Sequence, residues 1–119
     1  MADPAAGIEL DRVIAQRVFG WEVLDDTALG KPWRVPGGDP YSGQYSFSTY
    51  TPPYSTDKAA ALAVFERMVA RAGSGHIEGT MDYARGDELV AWVSFGNARG
   101  ASGVLPWAVC IAALQSLDA

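Results

Sequence analysis

Apolar positions recur with helical spacing at both ends and in the middle of this chain, and with a period of two in between. From Ile8 onward, Ile8, Leu10, Val13, Ile14, Val18 and Trp21 fall mostly on one helical face, with Asp11, Arg12, Gln16 and Arg17 elsewhere. The spacing predicts a helix from Gly7/Ile8 to Val18, stopped by Gly20, which accepts a left-handed backbone. Trp21 to Leu24 reads as a short extended segment. A second helix, Lys58 to Ala72, carries Ala61, Leu62, Phe65, Met68 and Val69 at spacings of three and four and ends at Gly73 and Gly75. Alternation follows. Ile77, Met81 and Tyr83 oppose His76, Glu78, Thr80 and Asp82; after the turn Arg85-Gly86-Asp87, Leu89, Ala91, Val93 and Phe95 oppose Val90, Trp92 and Ser94. This pattern predicts a β-hairpin with one buried face and one wetter face. Gly96 to Gly103 reads as a flexible loop. Pro106 suits the first turn of a last helix, which runs to about Leu117 with Trp107, Cys110, Ile111, Leu114 and Leu117 on one face.

Residues 25–53 are the least regular part. Trp33-Arg34-Val35 reads as a brief strand, and Pro36-Gly37-Gly38-Asp39-Pro40 as a turn cluster. The alternation Tyr45, Phe47, Thr49 suits a strand with one aromatic face, and equally a loop that packs its rings onto the domain. Pro52-Pro53 then forces extended backbone, and Ser55, Thr56 and Asp57 offer side-chain oxygens to the free N–H groups of the second helix. The order α-β-(β)-α-β-β-α predicts an α/β (α+β) fold, sandwich-like in three layers, with a small antiparallel or mixed sheet flanked by three helices. Residues 1–6 are expected to form a mobile tail and residues 7–119 a single domain.

Composition narrows the partners. A net charge of −5 and a pI of about 4.6 argue against a nucleic-acid backbone, which selects basic patches. They leave room for a small anion held by a few local donors. The single cysteine, Cys110, cannot form an intramolecular disulfide and suits a reducing compartment. The first residues, MADPAAGIELDR, have no basic region and no apolar run of signal length. No stretch approaches the roughly 18–20 apolar residues of a membrane span. A cytoplasmic protein without membrane association is expected.

Three blocks carry a family resemblance. Glu9 to Trp21 (ELDRVIAQRVFGW), Pro52 to Met68 (PPYSTDKAAALAVFERM) and Leu105 to Leu114 (LPWAVCIAAL) resemble, in order and spacing, the recurring blocks of the phage ABA sandwich domain. The middle block is the most specific. The last helix departs from the family pattern: Ser102-Gly103-Val104 stands where an Ala-Asp-Thr-like cap often precedes it. The resemblance implies a three-layer α/β/α arrangement, a phage or prophage origin (hence the host bacterial cytoplasm) and no established catalytic activity.

The residues themselves show no catalytic set. One histidine, His76, stands at a strand start without the converging ligands a metal needs, and reads as an exposed strand-end residue. A carboxylate–histidine pair with Glu78 or Asp82 is the weak enzymatic alternative. Cys110 lies in an apolar stripe and is expected to be an inert core thiol. No glycine-rich phosphate motif sits between a strand and a helix. No cofactor or metal is expected. What remains is a run of aromatics, Trp33, Tyr41, Tyr45, Phe47, Tyr50 and Tyr54, beside a hydroxyl-rich helix start. Ser55 and Thr56 serve as caps in the plainer reading, and as donors to an anion in the other. The rings either cover a sheet edge or subunit interface, or stack on a base while Arg99 or Arg34 holds phosphate. The ligand-binding candidates are Tyr45, Tyr50, Tyr54, Ser55, Thr56, Trp92, Asn97 and Arg99. By analogy with phage sponges, they imply a non-enzymatic protein that sequesters a nucleotide-derived antiphage signal, such as a cyclic nucleotide or ADP-ribose derivative. The alternative is an accessory phage protein acting through protein–protein contacts as a homo-oligomer.

Overall fold

A computed structural model describes residues 4–23, 33–35, 46–48, 51–82, 84, 86, 88–97 and 99–118. The elements are α1 (Ile8–Arg17), β1 (Glu22–Val23), β2 (Trp33–Val35), β3 (Ser46–Ser48), α2 (Lys58–Ala72), β4 (Gly75–Asp82), β5 (Glu88–Phe95), β6 (Ala101–Val104) and α3 (Leu105–Asp118). The class is α+β, with three helices and antiparallel sheets. β1, β2 and β3 form a small antiparallel sheet in that order; β4, β5 and β6 form a second one.

Local chemistry explains the helix ends. Gly20 is left-handed (φ 73°), and the Trp21 N–H behind it donates to the Ala15 carbonyl. Asp57 caps α2: its carboxylate accepts from the Ala60 N–H at 3.0 Å. Gly73 (φ 84°) closes the other end, its N–H donating to Val69. Arg71 reaches the carbonyls of Arg17 and Val18, tying α2 to the last turn of α1.

The hairpin forms as its alternation predicts. Its register pairs Gly75 with Phe95, Glu78 with Trp92 and Asp82 with Glu88. Ala91, Val93 and Phe95 are buried on the inner face. The outer face leaves His76, Glu78, Thr80, Trp92 and Ser102 exposed. Gly96 to Gly103 is not simply a loop: Ala101–Val104 is a third strand, with Ala101 against Val93, Ser102 against Trp92 and Val104 against Val90. Small residues hid it, with Val104 its one β-branched position, and two glycines are there for closeness. A Cβ on Gly100 would lie 2.0 Å from the Val93 carbonyl oxygen, and one on Gly103 would lie 2.7 Å from the Trp107 ring.

β6 runs directly into α3, the centre of the molecule. Eight of its residues are buried, from Leu105 through Ala113, so it has no single apolar face of the kind the spacing predicts. It packs on β5, β6, α2 and α1 together, and a helix buried on most sides is apolar on most sides. Two other stripes need correction. In α2, Val64 is buried and Leu62 exposed; in α1, Ile8 is exposed and Asp11 buried. Among the described residues, no helix is long and apolar enough to cross a membrane.

Candidate functional site

The segment before α2 is held from below. Asp11, only 6% exposed, accepts from the Ser55 backbone N–H at 2.8 Å and from the Ser55 hydroxyl at 2.6 Å. The same hydroxyl oxygen accepts from the Gly7 N–H at 2.9 Å. Ser55 therefore joins the start of α1 to the turn before α2 and is not a helix cap. Tyr54 lies beside it, buried, with its ring stacked on Phe19 at 5.1 Å between centroids. Burial first, then the nearby Asp11 carboxylate, pushes the Tyr54 phenol up to about 12. Burial and Asp11 also raise the buried Cys110 thiol, which keeps it protonated and unreactive.

Two clefts flank β6, the outer strand of its sheet. The larger, about 580 Å³, is lined by Ser55, Thr56, Glu88, Ser102, Val104 and Trp107, with Ala6 and Gly103. Among its described lining residues are one carboxylate, Glu88, and no cationic side chain. The neighbouring cleft, about 410 Å³, is lined by Trp92, Arg99, Ala101, Ser102, Trp107 and Gln115, with Gly100. It has the opposite electrostatic character. Ser102 and Trp107 line both, so the clefts share a wall. A third hollow on the open sheet face runs from Trp92 and Ser102 to Glu78 and Thr80.

The wall is well fixed. Trp107 donates its indole N–H to the Pro4 carbonyl at 2.8 Å, and its ring lies over Gly103, where a side chain would not fit. In the orientation that satisfies its neighbours, the Gln115 amide nitrogen donates to the carbonyls of Arg99 and Gly100, at 2.6 and 2.9 Å. That anchors the backbone carrying Arg99, whose side chain is exposed. Such a set can stack a ring on an indole, accept or donate at a hydroxyl, and attract an anion at a guanidinium.

The sequence-derived candidates thus divide. Thr56, Trp92 and Arg99 line the clefts, and Ser55 contributes a wall atom while its hydroxyl is committed to Asp11 and Gly7. Tyr54 faces the core, not a rim. Asn97 is exposed in the turn after β5, outside the lining of both clefts. Tyr45 and Tyr50 lie outside the described residues, as do the side chains of Arg34 and Asp82. Sequence reasoning missed Glu88, Ser102 and Trp107, because the strand that gathers them was not foreseen. It also placed Asp11 off the apolar face, although Asp11 precedes Ile14 and Ala15 by three and four positions and so shares their face.

His76 lies 3.8 Å from the Glu78 carboxylate, with both side chains exposed on the outer sheet face. Nothing positions this pair against a third group among the described residues. Nor does any group of three or more His, Cys, Asp or Glu side chains among them suit a metal ion. Comparison with protein-family models, with curated proteins and with solved structures returns no match.

Proposed function

We propose that this chain is a non-enzymatic binding protein for a small, ring-bearing anion of the nucleotide type, held across the two clefts beside β6. In keeping with its resemblance to phage ABA sandwich proteins, it acts as a phage-derived sponge in the host cytoplasm, removing a nucleotide-derived defence signal. The supporting observation is the wall shared by the clefts: Trp107 and Ser102 stand between Arg99 on one side and Thr56 and Glu88 on the other. A planar base stacks on the indole, and its phosphate turns toward Arg99 and away from the Glu88 carboxylate. Stacking and one charge-assisted contact hold a ligand without activating any bond.

The test is stabilisation. Differential scanning fluorimetry against mononucleotides, cyclic nucleotides and ADP-ribose should raise the melting temperature for at least one of them, because a ligand that binds only the folded state must stabilise it. Arg99→Ala should abolish that rise without lowering the melting temperature of the free protein, since the Arg99 side chain is exposed. No shift with any of these ligands would refute the reading.

A second reading has its own observation. Trp92 is 40% exposed on the open face of the sheet. An exposed aromatic on an uncovered sheet face suits self-association. Sedimentation of the wild type and of Trp92→Ala separates the two readings: an oligomer that Trp92→Ala dissociates, in protein that binds no nucleotide, favours the accessory role.

A further inference from the structure

We infer that the site selects guanine over adenine through Glu88, an inference that rests on the nucleotide reading above. Glu88 and Trp107 both line the larger cleft. Phosphate is disfavoured beside Glu88, because like charges repel at close range. The cleft therefore takes the base, and Arg99 in the adjoining cleft takes the phosphate. A carboxylate is an acceptor with two oxygens and no proton to give. Guanine offers such a group two adjacent donors on one edge, the N1–H and the exocyclic amine. Adenine offers an amine beside the unprotonated N1, so one carboxylate oxygen would face a ring lone pair. Cytosine and uracil likewise set a donor beside an acceptor. Of the common bases only guanine uses both oxygens of Glu88 in parallel hydrogen bonds, the arrangement that makes carboxylate pairing strong and directional. Thr56, exposed on the same wall, is left for the sugar.

Calorimetric titration of the full chain with GMP, IMP and AMP tests this directly. GMP should bind about tenfold or more tighter than AMP, the discrimination expected of a good bidentate contact. IMP, which keeps N1–H and lacks the amine, should fall between them. Glu88→Gln replaces one acceptor oxygen by a donor and should bring the GMP-to-AMP ratio close to one, mainly by weakening GMP. Glu88 is exposed, and circular dichroism should show the variant folded. Equal or tighter binding of AMP by the wild type overturns guanine selection while leaving the nucleotide reading intact. A ratio unchanged in Glu88→Gln overturns the role of this residue. Failure of all three nucleotides, together with cyclic nucleotides and ADP-ribose, refutes both.

Discussion

A carboxylate reaches the interior at Asp11 because two protons meet it there, from the Ser55 amide and the Ser55 hydroxyl. Ser55→Ala removes one of those protons and also the oxygen that accepts from Gly7. It should destabilise the protein by about 1–3 kcal/mol, the usual loss when a buried polar group is left short of a partner, read from urea denaturation midpoints. Tyr54, beside it, gives a pH signature. Folding keeps the phenol protonated to about 12 against an ordinary value near 10. Its contribution to stability is therefore complete below about pH 10 and is lost as the pH rises through about 12. Absorbance titration of the wild type against Tyr54→Phe should show Tyr54 ionising late in the native state and normally in denaturant. The sequence made Ser55 and Tyr54 look like a cap and a rim. Their real roles depend on Asp11, forty-four positions from Ser55 in the chain, and no local pattern carries that information. Away from the interior, Arg17 bonds Asp118 and holds its carboxyl below the usual range. Both groups are exposed, so this pair adds little.

At the scale of elements, what was legible is what local chemistry decides. Asp57 and Gly73 bound α2 as their side-chain oxygen and missing Cβ dictate. The hairpin follows from strict alternation over β4 and β5. β6 was illegible because its residues are mostly small, and because Gly103 within it and Gly100 just before it answer to the close approach of the Trp107 ring and the Val93 carbonyl, which only the fold brings about. α3 was legible as a helix but not as the centre, since the extent of its burial depends on four partner elements. The half of the site that depends on β6 was lost with the strand. This dependence is testable. Gly103→Ala puts a methyl group 2.7–2.8 Å from two ring atoms of Trp107, and an indole cannot yield as a flexible chain does. The variant should lose about 1–3 kcal/mol, typical of an overpacked contact. It should also weaken nucleotide binding, because the displaced ring is the wall shared by both clefts. A melting curve and a nucleotide titration on the same variant check the two effects. Normal affinity in a destabilised Gly103→Ala would detach Trp107 from the site.

Over the whole molecule, the distribution of charge matters more than its sum. A net charge of −5 opposes polyanions at long range. A compact ligand meets instead the local contrast between Arg99 and Glu88 on either side of Trp107. α2 and α3 pack on the sheet of β4, β5 and β6, and Ser102 and Trp107 of the shared wall belong to these packed elements. The most direct measurement is the indole N–H spectrum of ¹⁵N-tryptophan-labelled protein during titration with GMP, with resonances assigned by Trp92→Phe and Trp107→Phe. The four tryptophans give four probes. The Trp107 resonance should move most and saturably, the Trp92 resonance should move with the same dissociation constant, and Trp21, outside the clefts, should stay in place. A Trp107 resonance that does not move at saturating GMP, or shifts of equal size at all four indoles, would contradict a nucleotide site beside β6.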